Sequence, residues 1–232
     1  MEGKITLYHG SESVIEQPEY GAGNPHNDYG LGFYCTESEE LAKEWACSLE
    51  RDGFANKYEL DMTDLSVLNL TDGNYHILNW LSVLLENRTF RIREAVAAQA
   101  KEYILNNFSV DYQTYDVIRG YRADDSYFSF ANAFLNNTIS LAQLEKAMLL
   151  GKLGEQIVPR SRKAFARLVF QGVRAVEGEI YYPKKMARDM AAREVFDKEK
   201  QVGFLDSEVY VVDIMRGRWK NDDARLQRII LR

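Results

Sequence analysis

Asp28-Tyr29-Gly30-Leu31-Gly32-Phe33-Tyr34-Cys35-Thr36 is the stretch on which the reading of this chain turns. Its two glycines sit among aromatic residues, so the backbone can bend tightly and come close to another group. Phe33-Tyr34-Cys35 then resumes an extended run. Upstream, residues 21–32 form a Gly- and Asn-rich loop. Before that loop, Ile5 to Tyr8 is a short apolar strand candidate that runs into His9-Gly10-Ser11. Downstream, Thr36 and Glu39 have the spacing of a capping box, and Leu41, Trp45 and Leu49 follow at helical intervals, which predicts a helix from Thr36.

The remaining pattern alternates short strands with helices. Tyr58 to Leu70 reads as one or two strands turning through Asp61 to Asp64, and Tyr115 to Ile118 and Gln156 to Val158 as further strands, the last stopped by Pro159. Helices are predicted over Tyr75–Glu86, Ile92–Phe108, Ser126–Phe134, Ser140–Leu149 (with Ser140 and Gln143 as a capping box), Ser161–Gly172 and Pro183–Gln201. Glu208 to Met215, rich in β-branched residues, reads as a strand. The whole, residues 1–232, is read as a single domain, with 176–232 a candidate C-terminal helix-strand extension.

Composition narrows the function. The 232 residues are 46% hydrophobic and 28% charged, which suits a globular protein. A net charge of −6 argues against broad, nonspecific nucleic-acid binding. Two basic groups, Arg160, Arg162, Lys163 and Arg167, and Lys184, Lys185, Arg188 and Arg193, read as solvated helix faces. The two cysteines, Cys35 and Cys47, form no framework. With no apolar leader and no membrane-length apolar run, they point to a cytoplasmic protein without membrane partners. The histidines lack ligand spacing, so no metal is expected.

Three pieces taken in order, Tyr8-His9-Gly10-Ser11, Asp28 to Tyr34, and Gly154-Glu155-Gln156-Ile157-Val158, carry a resemblance. They resemble the ADP-ribosyltransferase superfamily in its His-Tyr-Glu class, which includes diphtheria-type toxins and poly(ADP-ribose) polymerases. The polymerases have a His-Gly pair on a first strand and an aromatic-Gly-x-Gly-hydrophobic-Tyr segment leading into a helix. The sequence is still more similar to a bacterial family of unknown function within the superfamily, through Tyr8 to Ser11, Asp28 to Thr36, Ala123-Asp124-Asp125 and Gln156-Ile157.

The resemblance implies an α+β fold: a split β-sandwich of two small antiparallel or mixed sheets around an NAD cleft, with flanking helices and a helical insertion. It implies NAD+ as substrate, no metal, and contacts from His9, Gly10, Ser11, Asp28, Gly30, Gly32, Phe33, Tyr34 and Asp125. In that reading His9 donates to a ribose hydroxyl, Gly10 offers its backbone to the nicotinamide amide, and Tyr34 stacks on the nicotinamide. The third catalytic position is either Glu155 or Gln156. Neighbours on a strand face opposite ways, so one alone faces the cleft, and the Ile-x-Pro-x-Ser continuation favours Gln156. Asp124 and Asp125 are reserve acids or helix caps.

The activity expected is mono-ADP-ribosyl transfer from NAD+ to a macromolecular acceptor, in a toxin or defence setting with a small antitoxin-like partner protein. NAD+ glycohydrolase is one alternative. A catalytically inactive module that binds NAD+, ADP-ribose or a partner through the charged helix is another.

Overall fold

The computed structural model describes residues 3–123, 125–149, 154–201, 203–205 and 207–226. It is a mixed α+β protein with two three-stranded sheets and several helices. The chain divides into two compact units, each built from three separate stretches of sequence.

The first unit comprises residues 1–69, 112–122 and 153–189 and holds both sheets. One sheet is antiparallel, in the order β1 (Lys4–Ser11), β2 (Gly53–Asp61), β6 (Leu168–Val176). The other is mixed: β3 (Val67–Asn69) runs parallel to β4 (Val117–Tyr121), which pairs antiparallel with β5 (Glu155–Pro159). Leu7, Tyr58 and Leu60 of the first sheet meet Val117 and Ile157 of the second in one apolar cluster. Burying such side chains contributes roughly 1.5–3 kcal/mol each.

Helix α1 (Glu39–Ala46) starts later than Thr36. Thr36 is held instead in main-chain pairing with Tyr8, and Ser38 is the N-cap, its Oγ accepting from Leu41 N at 3.3 Å. The helix predicted over 161–172 is a correction of a larger kind. A single turn, α6 (Arg162–Phe165), is capped by Ser161, whose Oγ accepts from Ala164 N at 3.0 Å, and the chain then enters β6. Leu168, Val169, Val173 and Val176 suit a strand, but the deciding partner is β2, over a hundred positions earlier, which local periodicity does not reveal.

Helix α7 (Gly178–Gln201) begins five residues before Pro183, because the Asp52 carboxylate accepts from Gly178 N at 2.8 Å and caps it from a distance in sequence. The Arg188 guanidinium grips the buried Glu44 of α1 with two hydrogen bonds, 2.7 and 3.0 Å. The basic groups are therefore only partly solvated. Arg160 donates to Leu31 O and Tyr112 O, Arg162 lies over the Tyr20 ring, and Lys163 and Arg167 donate to Asp64 O and Thr63 O.

The second unit comprises residues 70–111, 123–152 and 190–232 and is helical. Its α2 (Ile77–Asn87) is buried on every side from Ile77 to Leu85, the signature of a central helix. Around the unit run α3 (Ala95–Asn107), α4 (Asp125–Leu135), α5 (Leu141–Leu149) and α8 (Val211–Arg216). The Ser140–Gln143 capping box forms as the spacing predicts, with reciprocal bonds of 2.9 and 3.1 Å. The strand predicted over Glu208–Met215 is a helix instead. Asp213 accepts from Tyr210 N at 3.0 Å to cap α8, and Val211 and Ile214, three apart, are its buried pair. No helix among the described residues is long and apolar enough to cross a membrane.

Candidate functional site

Residues 33–36 tie the two sheets of the first unit together. Tyr8 and Thr36 exchange main-chain hydrogen bonds of 2.8 and 2.9 Å, and Cys35 and Ile157 exchange bonds of 3.0 and 2.9 Å. Phe33 N donates to Pro159 O at 2.9 Å, so the segment lies along β5. Side chains alternate across such a tie and give it two faces. The core face carries Leu7, Phe33, Cys35 and Ile157. By register and alternation His9, Arg119 and Glu155 share it. The opposite face carries Tyr8, Gly10, Tyr34, Thr36 and Gln156. There Ala42 and Ala46 of α1 pack with Ala55 and Tyr8, so this is the helix face.

His9 stacks on Phe33, with ring centres 4.3 Å apart, and its Nδ1 lies 2.7 Å from the Tyr34 carbonyl oxygen. A carbonyl only accepts, so the contact places the proton on Nδ1. Burial lowers the imidazole pKa below its usual value, against a smaller opposing effect from that hydrogen bond. The ring is therefore neutral near pH 7 and presents Nε2 as an acceptor. The resemblance implies a donor role for His9, but with the proton on Nδ1 spent on Tyr34 O the remaining ring nitrogen, Nε2, is an acceptor.

Tyr34 and His9 are neighbours through the Tyr34 main chain, while their rings leave on opposite faces. The Tyr34 hydroxyl donates to Gly30 O at 2.7 Å and accepts from Tyr29 N at 3.0 Å. It pins a turn in which Gly30 has φ of 72°, a conformation that disfavours any side chain. The Tyr29 hydroxyl donates in turn to Tyr121 O. Phe33 and Asp28 are buried. Ser11 is used structurally: its Oγ donates to Ser13 O at 2.6 Å and accepts from the buried Asn56 at 2.9 Å.

Two glycines expected to admit a ligand have a packing reason first. A Cβ on Gly10 would sit 2.1 Å from Ala42 O and 2.7 Å from Ala46 N, so α1 lies directly against it. A Cβ on Gly32 would sit 2.5 Å from a Val158 methyl. The Gly10 main chain has a second property. Tyr8 directs its N–H and C=O away from β2 to Thr36, and Gly10, two residues on, directs its own the same way. The Tyr8–Thr36 bridge is isolated and does not continue to a Gly10–Tyr34 pair, so that edge is left at the split between the sheets.

Glu155 and Gln156 are separated by this geometry. Glu155, on the core face, lies 3.2 Å from the Arg119 guanidinium, which also contacts Glu37. Gln156, on the helix face with Tyr34, is 5% exposed, and its Oε1 has no hydrogen-bond partner. Trp45 of α1 is another such case, packed on the same face: its Nε1 is buried and unpartnered, its Cβ is 3.0 Å from where a Gly10 side chain would begin, and Arg122 lies over its ring at 4.1 Å. Each orphaned polar group costs about 1–3 kcal/mol of desolvation. Such groups mark places where a ligand can supply the missing partner. Trp45, Arg119, Arg122 and Glu37 escaped the sequence reading; only the helical spacing of Leu41 and Trp45 pointed at the first.

Asp124 lies outside the described residues, and Asp125 is the first residue of α4. Burial pushes the Cys35 thiol pKa up, which suits a packing role over a nucleophilic one. A family model described as protein of unknown function (DUF3990) matches residues 5–170. No curated protein and no solved structure matches the chain.

Proposed function

The chain belongs to the DUF3990 family, and for this member we propose NAD+-dependent mono-ADP-ribosyl transfer, on a split β-sandwich of the ADP-ribosyltransferase type. The observation that carries the reading is the convergence on one face of Tyr34, the edge of Gly10, and the two orphaned polar atoms of Gln156 and Trp45. The N–H and C=O of Gly10 are a donor and an acceptor side by side, which matches the carboxamide of nicotinamide. The aromatic rings of Tyr34 and Trp45 suit a flat, cationic pyridinium. Gln156 Oε1 accepts from a ribose hydroxyl, while His9, whose ring leaves on the core face, holds the Tyr34 main chain through Nδ1.

In the proposed step the bond between nicotinamide nitrogen and ribose C1′ breaks, and its electron pair leaves with neutral nicotinamide. The oxocarbenium-like carbon is captured by an acceptor hydroxyl, amine or thiol, which loses its proton. The protein's part is to hold the dinucleotide bent and to orient dipoles toward the developing charge. Gln156 contributes its carbonyl dipole and no formal charge, so turnover is slow by comparison with a carboxylate at that position. The same feature favours a second reading, a module that binds NAD+ without turning it over.

The test is incubation of the full chain with NAD+ labelled in the adenosine half, with and without cell lysate. Nicotinamide release with label on a macromolecule is expected, and protease and nuclease digestion would locate it. Release with label only in free ADP-ribose would make the protein a glycohydrolase. Binding without release would leave the second reading, and no binding would remove both.

A further inference from the structure

The helical unit contains a cleft of about 710 Å3 that the NAD+ reading does not use. Arg91 and Arg93 reach it from the extended link between α2 and α3, and Lys200 from the end of α7. Glu94 supplies the one carboxylate of the lining, so the cleft carries a net +2 (three cations less one anion) in a chain of net charge −6. Among the described residues none of the three cations has an ion-pair partner. Like charges gathered in a concavity repel one another, a cost that a bound anion removes.

Other features point the same way. Helix α3 opens at the cleft through Glu94 and Val96, and the Glu94 side chain makes no capping bond. The first intrahelical bond there is Ala98 N to Glu94 O, which leaves the preceding N–H groups without helical acceptors. The opposite wall presents Ser129, Asn132, Asn136 and Thr138. Asn136 donates from Nδ2 to Asn132 O at 2.8 Å, but its Oδ1 is buried and unpartnered, an acceptor suited to a ligand hydroxyl. The apolar lining is limited to Val96 and Ala133, with no aromatic ring on which a base could stack.

We propose that this cleft is a binding site for a sugar phosphate, with Arg91, Arg93 and Lys200 on the phosphate and Asn132 and Asn136 on the sugar hydroxyls. The ligand is either a free phosphorylated sugar or the sugar-phosphate backbone of a nucleic acid. The site is independent of the NAD+ reading, and variants of Gln156 leave it intact.

The test is calorimetric titration of the full chain with ribose 5-phosphate and, separately, with a short abasic oligodeoxynucleotide. Saturable binding of the first identifies a free sugar phosphate, and binding of the oligomer alone identifies a nucleic-acid backbone. In either case Arg91→Ala with Arg93→Ala weakens binding at least about tenfold, since charge-assisted bonds are lost. Glu94→Gln tightens it by roughly threefold by removing the opposing charge. These residues are exposed, so thermal midpoints stay unchanged. Failure of both probes to bind saturably, or equal binding by the arginine variant, would overturn the proposal.

Discussion

Glu155 and Gln156 are adjacent in sequence and lie in opposite surroundings. On the core face, Glu155 is matched by Arg119, which Glu37 also holds, so its charge is satisfied by the protein itself. On the helix face, Gln156 is almost fully buried and its carbonyl oxygen finds nothing to accept from. The first arrangement is one a fold makes for its own stability. The second costs stability, and with Trp45 Nε1 on the same side it is the reason the proposed NAD+ site is put on that face.

The largest effect is expected on the helix face, where α1 lies against β1. Gly10→Val would drive a side chain into the Ala42 carbonyl and the Ala46 amide. A loss of about 3 kcal/mol or more follows from such overpacking, and with it a fall in Tm of roughly 6–12 °C. Thermal unfolding checks this, and an unchanged Tm would mean that α1 does not bear on β1 as described.

The comparison sharpens with paired substitutions in β5. Gln156→Leu removes an orphaned acceptor, so stability rises by about 1 kcal/mol while NAD+ cleavage drops by roughly 10²-fold. Glu155→Gln leaves cleavage within a few-fold of wild type and lowers stability by up to about 1 kcal/mol, as for a partly exposed ion pair. Denaturant titration and nicotinamide release, run on both variants, separate the two. The opposite ranking would exchange the faces' roles.

Smaller effects are expected with pH. His9 has a folded pKa below its usual 6.5, so the unfolded chain takes up the proton first. Its contribution is present above pH 6.5 and is lost as pH falls toward the lowered folded value. Glu145 in the helical unit is the reverse: burial pushes its pKa up to about 7 from 4.5, so its contribution is present below 4.5 and is lost as pH rises through 7. Stability measured across pH 4.5–7 should steepen downward with pH in His9→Phe, where the opposing slope is gone, and flatten in Glu145→Gln.

Much of the candidate site was legible because it depends on local pattern. The turn at Gly30, the extended run at Phe33 and the helix around Leu41 and Trp45 are written in consecutive residues. What was not legible depends on pairing at a distance. β6 needs β2, the start of α7 needs Asp52, and the helix at Val211 needs a cap from Asp213 to override its β-branched composition. The same limit governed the roles of individual residues. His9 became an acceptor only once its Nδ1 met Tyr34 O, and Gly10 acquired a packing reason only once α1 lay against it.

Calorimetric titration of NAD+ into the full chain, the Gln156→Ala variant and the Trp45→Ala variant tests the central claim most directly. One saturable site is expected in the unmodified protein, with affinity at least about tenfold weaker in each variant. Equal affinity in all three, or no saturable binding in any, would contradict the account.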